Sequence, residues 1–227
     1  MNKIDQHPFI AREGWLYLGL SILATVLAYI FLGGVIAFLC LIITVFVLQF
    51  FRDPHRAIPA GENLLVSPAD GKVIFAGQVE DPYLKRQAFK VSVFMNVFSV
   101  HSNRAPVAGT VKAVDYHAGS FVNAALDKAS EDNERNAIVL EDESGRQIVS
   151  VQVAGLVARR ILCYVKPEDT LMRGQRYGFI RFGSRVDLYL PLDFSLNVAL
   201  GDNVSSGSTV LTQELPARQR GSSSTRR

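Results

Sequence analysis

The stretch GFIRFGSRVDLYLP, residues 178–191, contains two strand-like runs that are separated by the pair Gly183-Ser184. A glycine inside a strand pattern weakens the strand, so it usually marks a bulge or a close backbone approach. The ordinary interpretation of this pair is a bulge with a surface serine, because Gly-Ser pairs are common in loops. The other interpretation is a peptide bond that the protein cleaves itself, and the rest of the chain must decide between them.

Period-two patterning continues through most of the chain after Arg52, in short runs of β-branched and aromatic residues bounded by turn residues. The runs 136–141 and 147–153 flank a turn of sequence DESG and predict a β-hairpin. Further strands are predicted at residues 89–100, 177–182, 186–190, 195–200 and 209–212. A single helical pattern outside the N-terminal segment, at residues 123–132, could equally be a loop. The sequence therefore predicts a mainly β domain.

Two pairs of similar segments occur within this domain. Residues 68–73 and 106–111 both read P-x-x-G-x-V, and residues 165–174 and 198–207 each combine a valine, an acidic turn and a glycine nine residues after the valine. Such repeats resemble the hammerhead strands of lipoyl and biotinyl carrier domains, which implies a barrel-sandwich hybrid fold but no function. A carrier domain needs a lysine at a hairpin tip, and neither Lys72 nor Lys166 has that context.

The N-terminal segment carries no charged side chain from Trp15 to Phe51. One helix of that length would be about 55 Å long, nearly twice the ~30 Å hydrocarbon core of a bilayer. Two helices on either side of Gly33-Gly34 would each be about 25 Å long, so we expect a transmembrane helical hairpin. The run is too long for a signal peptide. Because arginines flank both ends, the positive-inside rule puts the remaining chain on the cytoplasmic side of the cell (inner) membrane.

These features divide the chain into an anchor at residues 1–51, one β-rich domain at 52–215 and a basic, disordered tail at 216–227. The tail contains four arginines and no acidic residue, so the net charge of +3 becomes −1 for the remainder, and nucleic-acid binding gains no support. Cys40 and Cys163 lie in apolar surroundings and predict buried thiols in a reducing compartment, without a disulfide.

Asp70 and His101 are the candidate residues for proton transfer. Asp70 lies in a Pro-x-Asp-Gly turn, where aspartate also serves local hydrogen bonding. His101 ends the apolar run 91–100, and a histidine in that position is more often structural than catalytic. His55 and His117 show no metal-binding spacing with it, so no preformed zinc site is predicted.

Three motifs in order then resemble one known family. After the apolar anchor come SPADGKV at 67–73, FMNVFSVHSNRAPVAG at 94–109 and RFGSRVD at 181–187. This arrangement, which spans nearly the whole chain up to the tail, is similar to the short form of bacterial phosphatidylserine decarboxylases. The resemblance implies that a proenzyme cleaves its own Gly183-Ser184 bond, leaving a β chain of residues 1–183 and an α chain of residues 184–227.

The implied chemistry needs an electron sink, because decarboxylation of an amino acid leaves a carbanion. The resemblance implies that a pyruvoyl group made from Ser184 supplies the sink, without pyridoxal phosphate or a metal. Phosphatidylserine would bind it as a Schiff base and leave as phosphatidylethanolamine. Asp70 and His101 would form the base machinery of self-cleavage, with Asp70 orienting His101 or acting directly. His101 would then return a proton to the carbanion.

The chain departs from the longer members of this family at Arg104, where they carry a second histidine. Arg104 could instead bind the lipid phosphate, as could Arg185, Arg159 or Arg160. The expected partners are phosphatidylserine in the membrane and the protein's own two chains as a heterodimer, with a higher homo-oligomer left open.

Two other classes of function compete with the decarboxylase. One is a membrane-tethered β-sandwich adaptor or carrier without catalysis, and the other is a zinc peptidase that would use His101, His117 and Asp70. The decarboxylase alone predicts two chains on a denaturing gel, whereas sensitivity to a chelator would favour the peptidase.

Overall fold

The computed structural model describes residues 7–61, 63–119, 124, 133–155, 160–181 and 184–214. The described chain is mainly β, as predicted, and two apolar helices precede the strands. The elements are α1 (Trp15–Phe31), α2 (Gly34–Phe50), β1 (Leu64–Val66), β2 (Gly71–Asp81), β3 (Arg86–Met95), β4 (Ser102–Arg104), β5 (Gly109–His117), β6 (Arg135–Glu141), β7 (Gln147–Ala154), β8 (Ile161–Cys163), β9 (Thr170–Leu171), β10 (Arg176–Ile180), β11 (Ser184–Leu190), β12 (Phe194–Leu196), β13 (Asn203–Val204) and β14 (Val210–Glu214).

The two helices pack against each other and reverse direction at Gly33, whose φ of +93° suits glycine. The hydroxyls of Thr25 and Thr44 form a hydrogen bond of 3.0 Å between the helices. At their open end, the Ala11 N–H donates to the Phe51 carbonyl at 2.8 Å. Both ends of the pair therefore lie side by side, next to the β domain.

The segment Arg12–Phe31, which contains α1, is long and apolar enough by length and composition to cross a membrane. Helix α2 has 17 residues and would be about 25 Å long. The side of the membrane on which the β domain lies stays a prediction.

Eight antiparallel strands form the main sheet, in the order β13-β2-β3-β11-β7-β6-β5-β9. Two three-stranded sheets, β1-β14-β12 and β4-β10-β8, complete the fold. The order of the main sheet is mirrored about its central pair, β11 and β7. On each side of that pair lies a strand (β3 or β6), then a long partner that begins at a glycine (β2 or β5), then a two-residue edge strand (β13 or β9).

The P-x-x-G-x-V repeats form the matching corners of this sheet. Gly71 begins β2 and Gly109 begins β5. A Cβ atom would lie 2.0 Å from the Phe94 carbonyl oxygen at the first position and 2.3 Å from the Glu141 carbonyl oxygen at the second. Only glycine allows the neighbouring backbone to approach so closely.

The second pair of similar segments supplies the edge strands. Strand β9 lies within residues 165–174 and pairs with β5, whereas β13 lies within 198–207 and pairs with β2. The Gly174 N–H donates to the Ala105 carbonyl, and the Gly207 N–H donates to the Ser67 carbonyl, each at 2.8 Å. Each P-x-x-G-x-V segment is thus joined to one copy of the other repeat, so the sequence similarity reflects a structural repeat.

Several strand boundaries differ from the prediction. The predicted strand 89–100 ends at Met95, because the Phe98 N–H donates to the Asn96 side chain and the Ser99 N–H to the Asn96 carbonyl, which closes a turn. The predicted strand 195–200 likewise ends at Leu196. The hairpin 136–153 is confirmed by β6 and β7. The helical pattern at 123–132, apart from residue 124, and the tail 216–227 lie outside the described residues.

Candidate active site

Ser184 is the first residue of β11, one of the two central strands of the main sheet. It pairs with Met95 of β3 on one side and with Ala154 of β7 on the other. Its side chain is buried, and its Oγ lies 3.4 Å from the Met95 sulfur, which is a weak acceptor. Ser184 therefore belongs to the strand rather than to a surface bulge. Gly183 lies outside the described residues.

His101 lies between the turn that follows β3 and the start of β4. It is completely buried, with its ring centroid 4.1 Å from that of Phe50 in α2 and 6.3 Å from that of Phe179 in β10. Its carbonyl accepts a hydrogen bond from the Ile180 N–H at 3.2 Å. His101 is thus tied to the end of the strand that leads to the Gly183-Ser184 bond, and it contacts the helical hairpin.

Burial lowers the pKa of His101 from 6.5 to about 3, with an opposing contribution from the Ser99 backbone and a further lowering by the Arg52 guanidinium. The imidazole is therefore neutral at pH 7. Neither ring nitrogen makes a hydrogen bond of ordinary geometry to the described residues. A neutral imidazole of this kind can accept a proton from a hydroxyl.

Asp70 lies in the turn that precedes β2, at the same edge of the sheet as Ser184. Strand β3, which contains Met95, lies between them, because it pairs with β2 on one side and with β11 on the other. The backbones of β2 and β11 are therefore two strand spacings apart, roughly 10 Å. One Asp70 oxygen accepts from the Ser206 N–H and the other from the Arg56 guanidinium, both at 2.7 Å. Within the described residues Asp70 does not contact His101, so its role in orienting His101 stays a prediction.

Arg104 is fully buried on β4 and binds Asp53, which follows α2. Its Nη2 donates to Asp53 Oδ1 at 2.9 Å, and its Nη1 donates to the Gly174 carbonyl at 3.1 Å. The Ser102 hydroxyl donates to the other Asp53 oxygen at 2.7 Å, and Arg176 lies 3.4 Å from it. Asp53 therefore joins the helical hairpin to the small sheet β4-β10-β8.

The side chain of Asn103 points to the opposite side of β4 from those of Ser102 and Arg104, because side chains alternate along a strand. Its Nδ2 lies 3.9 Å from the Met95 sulfur, the atom that Ser184 contacts. Gln152 donates to Asn103 Oδ1 at 2.8 Å, and Asn136 donates to Gln152 Oε1 at 3.1 Å. This chain of buried amides directs an N–H donor towards the surroundings of Ser184.

Arg185 and Ser184 lie on opposite faces of the sheet, since they are neighbours on one strand. The Arg185 guanidinium binds the Asp187 carboxylate, with Nε 2.8 Å from Oδ1, and it donates to the Ala124 carbonyl at 2.9 Å. Asp187 in turn lines a groove of about 840 Å³ on that face, together with Tyr83 and Lys90. The structure does not bring Arg185 to the side of Ser184.

Of the remaining histidines, His7 contacts the Arg104–Asp53 pair, with its Nε2 2.8 Å from Arg104 Nη2 and its Nδ1 3.5 Å from Asp53 Oδ2. His117 ends β5 and binds Asp115 at the surface, with 2.8 Å between Nε2 and Oδ2. His7 and His55 stack on each other, with ring centroids 5.4 Å apart. In the part of the chain that the structure describes, no group of three or more His, Cys, Asp or Glu side chains could hold a metal ion. The three residues that the peptidase hypothesis needs form no cluster.

The sequence contained usable signals for some of these positions and none for others. Strand alternation next to Ser184 already assigns Arg185 to the other face. The motif at 94–109 contains Asn103, but its side becomes clear only once β4 is known to begin at Ser102. Asp53 has no local signal, because its partner Arg104 is 51 positions away.

Known proteins match the chain over most of its length. The family model described as phosphatidylserine decarboxylase matches residues 43–212. The phosphatidylserine decarboxylase proenzyme of Ralstonia nicotianae is 58% identical over 213 residues, covering 94% of this chain and 99% of the relative. That of Paraburkholderia xenovorans is 52% identical over 207 residues, covering 91% and 98%. The chain therefore belongs to the phosphatidylserine decarboxylase family.

Proposed function

We propose that this protein is a proenzyme that cleaves its own Gly183-Ser184 bond and then decarboxylates phosphatidylserine to phosphatidylethanolamine. The observation that carries the proposal is the position of Ser184. Its buried hydroxyl belongs to the first residue of a central strand, on the C-terminal side of the Gly183-Ser184 bond. The proenzyme relatives, at 52–58% identity, support the same reaction.

Self-cleavage begins when Ser184 Oγ attacks the Gly183 carbonyl carbon and the C–N bond breaks, which leaves an ester and a free amine at residue 184. Removal of the Ser184 α-proton then expels the Gly183 carboxylate by β-elimination. The resulting dehydroalanine takes up water and loses ammonia to give the pyruvoyl group. Neutral His101 is the proposed base for the serine hydroxyl. Asn103 is the proposed donor to the oxyanion that forms at Gly183.

The surroundings of residue 184 fit an uncharged acyl group of the size of serine. The side chain is buried, and its hydroxyl contact among the described residues is a methionine sulfur rather than a charged group. When present, the pyruvoyl group supplies the electron sink that allows a carboxylate to leave an amino acid. His101 is the proposed group that passes a proton to the α-carbon, and because its imidazole is neutral at pH 7 it must take up one proton for each one that it gives. Its apolar neighbours Phe50 and Phe179 keep bulk water away from the transfer to carbon.

The α chain produced by cleavage would remain bound through strand pairing. Residues 184–190 of β11 pair with β3, and residues 184–189 also pair with β7. Strands β13 and β14 pair with β2 and β1. The two chains thus form a heterodimer of one fold.

Asp70, which lies in the turn before β2, is proposed to take part in the self-cleavage step. The assignment of the lipid phosphate to Arg104 or Arg185 stays a prediction, and the carboxylate partner of each arginine weighs against it. Arg52 is a further candidate, because its guanidinium is close enough to His101 to lower the pKa of that ring. The apolar hairpin would hold the site at the cytoplasmic face of the membrane.

The test is a denaturing gel combined with a lipid assay. The wild-type protein should give two chains, the smaller one blocked to Edman degradation, and should convert labelled phosphatidylserine to phosphatidylethanolamine with release of carbon dioxide. Ser184→Ala should leave one chain of 25.0 kDa without activity. Ser150→Ala, which alters another buried serine facing the same side of the sheet, should still cleave. A folded, uncut and active wild-type protein would contradict the proposal.

A further inference from the structure

A short apolar turn lies beside the end of α2. Residues 96–99, here called the Val97-Phe98 turn, connect β3 to the segment that contains His101. The turn leaves 37% of Val97 and 64% of Phe98 exposed. Single exposed apolar residues are common on soluble surfaces, so exposure by itself does not assign a role.

Hydrogen bonds join the turn to the end of the helical hairpin. Inside the turn, the Asn96 side chain accepts from the Phe98 N–H at 2.8 Å. The Phe98 carbonyl then accepts two hydrogen bonds from the end of α2, one from Gln49 Nε2 at 3.0 Å and one from Arg52 Nη2 at 2.8 Å. The turn that carries the exposed Phe98 side chain is thereby joined to the end of α2, next to the apolar surface of the hairpin.

We propose that the Val97-Phe98 turn is a second membrane contact, which enters the outer acyl region of a phospholipid bilayer beside the end of α2. Its surface is continuous with that of a helix whose side chains are mostly apolar and exposed, and Arg52 at the boundary suits the level of the lipid headgroups. The partner of this surface is a lipid bilayer. The proposal rests on the proposed function, because the substrate of that function is a bilayer lipid.

The contact would place the reaction site at the lipid surface. His101 lies three residues after Phe98 in the chain, and its ring packs against Phe50 of α2. A turn that is anchored in the bilayer on one side and bonded to α2 on the other fixes the height of His101 above the membrane. A lipid headgroup could then reach the site while its acyl chains stay in the bilayer.

The first experiment compares two forms of phosphatidylserine with the full, self-cleaved protein. We measure kcat/KM on vesicles of phosphatidylserine and phosphatidylcholine, and kcat/KM on monomeric dihexanoyl phosphatidylserine. The ratio of the first value to the second should fall about tenfold in Phe98→Ser, because the aromatic ring that enters the bilayer is lost. Leu192→Ser is the matched control: Leu192 is 41% exposed but follows the opposite end of β11 from Ser184, and its ratio should stay that of the wild type. An unchanged ratio in Phe98→Ser would overturn the proposal.

The second experiment does not depend on catalysis. The protein has one tryptophan, Trp15, so a variant that combines Trp15→Phe with Phe98→Trp carries its only indole in the turn. Vesicles with brominated acyl chains should quench the indole fluorescence of this variant, and quenching, together with a wild-type protein that fails to decarboxylate, would support the membrane contact while refuting the proposed function. If the variant binds the vesicles but its indole still emits as in water and is not quenched, the proposed membrane contact is wrong, whether or not the protein is active.

Discussion

Replacing Arg104 with glutamine tests whether this arginine supports the fold or binds the lipid phosphate. The structure favours the first role, because the guanidinium is fully buried and donates to Asp53 and to the Gly174 carbonyl. We expect Arg104→Gln to lower the free energy of unfolding and to leave the KM for phosphatidylserine unchanged in the protein that folds.

The magnitude follows from what Asp53 retains. Removing one partner of a buried ion pair typically costs about 3–5 kcal/mol, because the other charge stays buried without compensation. Here Asp53 keeps the Ser102 hydroxyl at 2.7 Å, Arg176 at 3.4 Å and His7 Nδ1 at 3.5 Å. The loss should therefore lie near the lower limit, at about 3 kcal/mol. In a double-mutant cycle with Asp53→Asn, the coupling energy should be about 2 kcal/mol.

The assay is denaturant unfolding in detergent, in a Ser184→Ala background so that every variant is one uncut chain. Lys112→Gln is the matched control, since Lys112 forms a half-exposed pair with Glu141 and its loss should cost less than about 1 kcal/mol. The KM is measured separately in the self-cleaved variants. Unchanged stability together with a tenfold higher KM in Arg104→Gln would refute the structural role and support phosphate binding.

Three further predictions follow from the site and the sheet. Because burial lowers the pKa of His101 from 6.5 to about 3, the unfolded chain binds more protons than the folded chain between these values. Stability should fall as the pH drops below 6.5, and it should fall less in His101→Leu; equal losses of Tm between pH 7 and pH 5 would contradict this. Gly109→Ala places a Cβ 2.3 Å from a backbone carbonyl and should cost about 3 kcal/mol, whereas Gly19→Ala, in the interior of α1 with no neighbour within 4 Å, should not lower the unfolding midpoint. Gln152→Leu removes the donor that orients the Asn103 amide and should slow self-cleavage about tenfold; normal cleavage kinetics in the folded variant would contradict the role of Asn103.

Much of the fold could be predicted locally. Alternation and turn residues located the hairpin of β6 and β7, since its two strands are close in sequence. The repeated P-x-x-G-x-V segments were visible in the sequence, and the structure shows that they form equivalent corners, because the close backbone approach at each of them requires glycine. The strand predicted at 89–100 was too long, because an apolar run does not reveal that the Asn96 side chain closes a turn after Met95.

The candidate site could be predicted only in part. Ser184, Asp70 and His101 came from motifs, and the structure brings Ser184 and Asp70 to one edge of the main sheet. Their contacts could not be predicted: Asp70 binds Arg56 and Ser206, and His101 packs against Phe50. Each of these contacts depends on how separate elements pack, which the spacing of residues within one motif does not determine.

The sequence by itself determined the apolar hairpin, the mainly β class and the order of motifs that places the chain in its family, because these depend on composition and on neighbours along the chain. Only the tertiary structure decided which buried polar groups meet. Arg104 binds Asp53 across 51 positions, and Asn103 reaches Gln152 across 49. Such pairs form because a buried charge or amide must find a partner wherever the packed elements offer one, and the strand order of the sheets determines which partner that is.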